Sequence, residues 1–205
     1  ILGRELGQGE IVFNDVRIPE DHLLGALGAG SFLMRQRLSL GRLLRSIRWI
    51  GLAQRCHDLM CERIHSPRGQ LARLSEKQLV REKVYRVYRG IHGARCLLRD
   101  AAVKHDAGIP NMIEVNVVKM AASDALSDAV DCAIQVFGAE GVADWNPLPG
   151  IYREARTTHI LDGADDVLVS SVGRQLLAAS YPGLAFDPVR PSVALADDGG
   201  GQDVG

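Results

Sequence analysis

Charge of neither sign dominates this sequence: 24 Lys and Arg stand against 25 Asp and Glu, a formal net charge of −1 over 205 residues. That balance excludes the basic field nucleic acid requires and the polybasic patch that would hold a membrane surface. An apolar run of about 18 residues is missing too, so the sequence predicts nothing that spans a bilayer. Cysteine is scarce. Cys56, Cys61, Cys96 and Cys132 fall in helical, largely apolar stretches without metal-site spacing. They read as reduced core thiols of a cytosol-like compartment. No Cys/His cluster points to a metal, so none is expected. Ile1-Leu2-Gly3 offers neither an initiating methionine nor a signal peptide. The chain therefore reads as a piece of a longer protein of the cytoplasm, bacterial-like, or of an organelle matrix.

What is present is enough apolar material, 46% of residues, for one domain with a real core. Residues 1–28 are strand-like. Glu10-Ile11-Val12-Phe13 alternates weakly, and Arg17-Ile18-Pro19 is extended because the residue before proline avoids the helical region. From about 31 to 63, Leu33, Leu40, Leu43, Leu44, Ile47, Ile50, Leu52 and Leu59 recur at helical steps. Ser66-Pro67-Arg68-Gly69 breaks that pattern. Ser75 with Gln78 reads as a capping box, opening a second long helix that stops at Gly108-Ile109-Pro110. Asn111 with Glu114 opens a third, which runs to Gly138. Pro147 to Arg156 forms a short helix or turn, and a last helix runs from after Asp162-Gly163 to about Ala179. The expected fold is mainly α: an antiparallel bundle over 29–180, preceded by a β-domain remnant over 1–28 and followed by a disordered tail over 181–205. Helices this long suggest faces buried against other subunits.

Three local patterns, in this order, resemble the acyl-CoA dehydrogenase family. Phe13-Asn14-Asp15-Val16-Arg17-Ile18-Pro19, with Leu24-Gly25 and Gly28-Ala29-Gly30, looks like the join between that family's middle β-domain and its C-terminal bundle. Ala133-Ile134-Gln135-Val136-Phe137-Gly138-Ala139-Glu140-Gly141 looks like its Ala-x-Gln-x-x-Gly-Gly-x-Gly motif. Tyr152-Arg153-Glu154-Ala155-Arg156, then Ile160-Leu161-Asp162-Gly163, looks like its Tyr-Arg-Asp-Ala-Arg, Ile-x-Glu-Gly-Thr ending. Arg42, nine residues before Gly51-Leu52-Ala53-Gln54, also matches in place. The resemblance covers about 1–180. It implies an FAD-dependent enzyme, usually a homotetramer and at least a dimer, acting on an acyl-CoA and passing electrons to an electron-transfer flavoprotein.

The implied reaction takes an α-proton from the thioester while a β-hydride goes to the flavin. An α C–H is a poor acid, so it needs a base close by and a hydrogen-bonded carbonyl to hold the developing charge. Asp162 stands where most relatives carry the base glutamate, and Gly163 would let the substrate approach the backbone. Aspartate is one methylene shorter, a difference of roughly 1 Å in reach. Aspartate also occurs here in the branch that includes acyl-CoA dehydrogenase family members 10 and 11, whose Asp-Gly-Pro-Asp-Glu is close to Asp162-Gly163-Ala164-Asp165-Asp166, and in nitroalkane oxidase. Asp162 and Asp165 are equally placed to cap the last helix. Relatives with the base on the first long helix would carry it at about Gly41, which holds no carboxylate, and Ser39 replaces an aspartate that contacts CoA. Arg42 is the candidate for the acyl-CoA, with Arg35, Arg37, Arg45 and Arg48 near it, against the alternative of a solvated basic face.

For FAD the resemblance marks two stretches. Arg68-Gly69-Gln70-Leu71-Ala72 with Gln78 stands where relatives have Arg-x-x-Phe-Gly and a glutamine. The aromatic is gone, and Arg63 and Arg73 rival Arg68 as partner of the pyrophosphate. Gln135, Val136, Phe137, Gly138 and Ala139 form the second stretch, which in the family receives the ADP half of a neighbouring subunit's FAD. Ala164 replaces a threonine beside the flavin, and Asp165 follows it. His159 is a candidate to tune Asp162. Two rival readings remain: a flavin oxidase of the nitroalkane oxidase type, and a non-catalytic subunit that assembles with an active partner, supported by Leu71, Ala72, Ala139 and Ala164.

Overall fold

The computed structural model describes residues 9–180. Helix α1, Gly30–His65, carries its apolar residues at three- and four-residue steps, and Leu43, Trp49, Ile50, Ala53, Cys56, Met60 and Ile64 are buried along one face. Ser66 leaves the helical region at ψ 159°, and Pro67 starts the short helix α2, Pro67–Leu71. The Ser66 hydroxyl accepts the Gly69 N–H at 3.1 Å, so the break seen in the sequence is a capped restart.

Helix α3, Gln78–Asp106, ends in paired bonds from Gly108 N to His105 O and from Ile109 N to Lys104 O. Helix α4, Met112–Phe137, is the centre of the domain. Val115, Val118, Ala122, Leu126, Ala129, Val130 and Ala133 are buried on it, and it packs against α1, α3, α5 (Leu148–Thr158) and α6 (Asp165–Ser180). Its alanines allow close approach: a Cβ on Gly90 of α3 would lie 3.8 Å from the Cβ of Ala125. The larger of two buried clusters runs from Trp49 through Leu126 to Leu148, and a smaller one gathers Leu43, Ala101, Val115 and Val118. Each fully buried side chain of this kind stabilises the fold by about 1.5–3 kcal/mol.

Two expectations need correction. Glu10–Phe13 forms no strand; residues 9–19 are exposed and largely irregular, because a strand with no neighbour has nothing to ladder with. Ser75 and Gln78 form no capping box. Ser75 lies in a single 3-10 turn, Leu74–Glu76, and Lys77 takes the cap position with no side-chain bond. Asn111 does cap α4 by position, but its amide donates to Ala101 O at 2.8 Å and so ties α4 to α3. The tail expected over 181–205 lies outside the described residues. No helix among the described residues is long and apolar enough to cross a membrane.

Candidate functional site

Three arginines of α1, Arg37, Arg42 and Arg45, face the turn between α5 and α6. That turn is tightened by bonds from Asp165 N to His159 O at 2.9 Å and from Leu161 N to Thr157 O at 3.0 Å. At its tip Asp162 takes a left-handed conformation, φ 58°, followed by Gly163 at φ 110°. A non-glycine residue there is held against its own preference by its surroundings. Gly163 has two reasons to be glycine: the positive φ, and the 3.0 Å that would separate a Cβ from Arg42 Nη2.

The Asp162 side chain is only 6% exposed. Arg45 Nε lies 2.8 Å from Oδ2, and Arg37 Nη1 lies 4.0 Å from Oδ1. The Arg45 contact has the distance of an ion pair but not the alignment of a hydrogen bond, so Oδ2 is a buried oxygen without an aligned donor. Such orphans concentrate at working sites. Arg42 acts on the backbone instead. Its Nε donates to the Asp162 carbonyl at 2.8 Å, and its Nη1 donates to Asn116 Oδ1 at 2.8 Å. Burial pushes the Arg42 guanidinium below its ordinary value, and the Asp162 charge opposes that; it stays a cation.

Behind the turn lies a cleft of about 560 Å³, bordered by Ser127, Tyr152, Arg156, His159, Ala164 and Asp165. Asp165 pairs with the fully buried Lys119, which also lies 6.0 Å over the Trp49 ring. His159 bonds Asp165 through Nδ1 at 2.6 Å and Ser127 through Nε2 at 2.8 Å. His159 therefore serves Asp165 and not Asp162. Asp124, His159 and Asp165 bring one donor atom each within 4.8 Å, a grouping their spacing hides. The ammonium of Lys119 already occupies one Asp165 oxygen.

The second predicted locus lies at the other end of α4. Gly138 ends the helix at φ 67°, ψ −139°, in open space, with no atom within 4 Å of a built Cβ. Glu140, just beyond, collects Arg63 at 3.2 Å and Arg68 at contact distance. Arg63 also stacks 5.6 Å over Phe137, and its Nε is buried without a partner. Two guanidiniums on one carboxylate leave a positive excess fit for a phosphate. Arg73 turns away to Glu76, and Gln78 and Gln135 are exposed. The structure thus brings Arg63 to Phe137, brings both Arg63 and Arg68 to Glu140 just beyond Gly138, and brings Arg42 to Asp162 and Gly163. Asn116, Lys119 and Glu140 escaped the sequence reading. Polar residues set within the apolar stripe of α4 were the signal for the first two.

The family model for the acyl-CoA dehydrogenase C-terminal domain matches residues 28–177. The chain belongs to the acyl-CoA dehydrogenase family. It is 32% identical over 173 residues to mouse acyl-CoA dehydrogenase family member 11, covering 83% of this chain and 22% of that one. It is 33% identical over 174 residues to FadE2 of Mycobacterium tuberculosis, described as a probable acyl-CoA dehydrogenase, covering 84% and 43%. Among solved structures, butyryl-CoA dehydrogenase of Megasphaera elsdenii superposes with a TM-score of 0.77 at 28% identity, covering 81% of this chain and 43% of that one. The chain thus spans less than half the length of each of these relatives. Within this acyl-CoA dehydrogenase domain, the helical bundle is the fold the resemblance implied.

Proposed function

We propose that the protein is an FAD-dependent acyl-CoA dehydrogenase with Asp162 as its base. The observation that carries the reading is the buried Asp162 carboxylate on a left-handed turn, with one oxygen free of any aligned donor. A proton acceptor needs such an open lone pair, held in place before substrate arrives.

Each residue at the turn has a part in that reading. Arg42 fixes the Asp162 carbonyl and so sets the direction of the next peptide. Gly163, at φ 110°, lets the turn close against Arg42 and Leu168, where a side chain would not fit. The Asp162 N–H is the candidate donor to the thioester oxygen, where charge develops as the α-proton leaves. Asp165, held by Lys119 and His159, anchors the far side of the turn.

Bound FAD supplies the hydride acceptor. Gly138, Phe137, Arg63 and Arg68 fit its anionic diphosphate, because the positive excess and the orphan Arg63 Nε both lack a partner among the described residues. Asn116 and Gly138 are 22 positions apart on one helix, roughly 33 Å at 1.5 Å per residue. That separation supports the arrangement the resemblance implies, in which the Gly138 end serves the FAD of a neighbouring subunit. A dimer or tetramer follows, and an electron-transfer flavoprotein is the proposed acceptor.

The test is anaerobic. The complete flavin-loaded protein and its Asp162→Asn variant are mixed with a panel of acyl-CoAs, and the visible flavin band is followed. Bleaching in wild type and none in the variant, with FAD and ligand still bound, supports the reading. A flavin-loaded wild type that no acyl-CoA bleaches ends it.

A further inference from the structure

We infer that Arg37 and Arg45 receive an anionic group carried on the acyl chain itself, so that the preferred substrates are acyl-CoAs with a negatively charged chain rather than plain aliphatic ones. The inference rests on the dehydrogenase reading above.

The charges around Asp162 do not balance. Arg37, Arg42 and Arg45 converge on it from one side of α1, and Asp162 is the single carboxylate among the described residues with which Arg37 or Arg45 makes an ion pair. Arg42 is committed through Nε to the Asp162 carbonyl and through Nη1 to Asn116. Arg48, one turn on, has its own partner in Glu154. Arg37 and Arg45 therefore share one anion and leave a positive charge unmatched, directly beside the oxygen that must accept the proton.

That arrangement suits a neutral chain poorly. Two guanidiniums are costly to cover with methylenes, because they lose water and gain nothing. Their exposed sides, with side chains 63% exposed in Arg37 and 41% in Arg45, leave donors free for a second anion. A carboxylate or similar group beyond the reacting carbons would accept those donors in the paired geometry that guanidinium favours. It would also draw the Arg45 charge away from Asp162 Oδ2 and so raise the basicity of that already open oxygen. Binding and strengthening of the base then come from one contact, and this selects for the charged chain in the step that matters for rate.

The alternative source of the anion is CoA, whose phosphates every acyl-CoA carries. The experiment separates the two. In the complete flavin-loaded enzyme, kcat/KM is measured for adipyl-CoA and hexanoyl-CoA, which differ in the terminal carboxylate, with wild type, Arg45→Leu and Arg45→Lys. The expected result is a wild-type preference for adipyl-CoA of at least about 10-fold, the size of one charged hydrogen bond. Arg45→Leu brings the ratio of the two kcat/KM values close to one, whatever it does to the rate the two substrates share through Asp162, and Arg45→Lys retains part of the preference. Equal losses on both substrates mean that Arg45 serves CoA, and the inference falls. A wild type that handles hexanoyl-CoA as well as adipyl-CoA also overturns it, with dehydrogenase activity intact. If neither compound nor any other acyl-CoA bleaches the flavin, the dehydrogenase reading itself has failed and this inference fails with it.

Discussion

Arg42 and Asp162, 120 positions apart, are joined by a hydrogen bond from the guanidinium Nε to the backbone carbonyl, at 2.8 Å. The arginine thus holds the peptide frame and leaves the carboxylate to others. Its second nitrogen reaches Asn116 on α4, so one side chain ties α1, α4 and the α5–α6 turn together.

The turn should accordingly be intolerant at Gly163. Alanine there would sit at φ 110° with its Cβ 3.0 Å from Arg42 Nη2 and 3.2 Å from Leu168 Cδ2. Strain at such a φ amounts to about 1–3 kcal/mol, and the displaced Arg42 adds the loss of its two bonds. Gly163→Ala should lower the urea midpoint accordingly and raise KM for the acyl-CoA more than an exposed change such as Gly93→Ala. Equal midpoints for the two variants would show that the turn is not held as described.

The bundle was legible because its signal is local. Leu43, Ile50, Leu59, Val87, Ile91, Val118 and Leu126 recur at helical steps, and the breaks at Ser66-Pro67 and Gly108-Pro110 are written in residue types with fixed backbone consequences. Asp162, Gly163 and Arg42 were legible through motif order, and the structure brings these three together. The partners were not. Whether His159 serves Asp162 or Asp165 depends on which way the α5–α6 turn closes, and that is set by the distant Lys119. The Ser75–Gln78 pattern failed for a related reason. The left-handed Arg73 starts a 3-10 turn that consumes Ser75 before α3 begins.

Lys119 is the next residue to test. Its ammonium is fully buried, and its anionic partner Asp165 is 20% exposed at the side chain. Removing one member of such a pair strands the other charge and costs about 3 kcal/mol. Lys119→Met should therefore lose about that much stability by chemical denaturation. The double change Lys119→Met with Asp165→Leu should lose less than the two single changes summed, because no charge is left behind. Strict additivity would mean that the pair contributes nothing. The same Lys119→Met variant should also weaken the anchoring of the Asp162 turn, seen as faster hydrogen exchange at residues 160–163.

Asp124 carries a pH dependence whose sign can be worked out. Burial raises its carboxyl above the ordinary 3.8 and is the largest influence. The His159 charge pulls it down, Asp165 pushes it up, and Lys119 pulls it down. The folded protein therefore holds this proton more tightly than the unfolded chain. Between the two values the native state binds more protons, so stability falls as pH rises through that window. Above it, at neutral pH, the ionised Asp124 is a standing penalty. Asp124→Asn removes the titration, and the variant should be the more stable at pH 7, with the advantage vanishing on acidification below about 3.8. The effect is modest, since the residue's rim is open to water. Urea unfolding of both proteins from pH 3 to 8 reads it directly. A wild type that gains on the variant as pH rises would mean that attraction to His159 and Lys119 outweighs burial at this position.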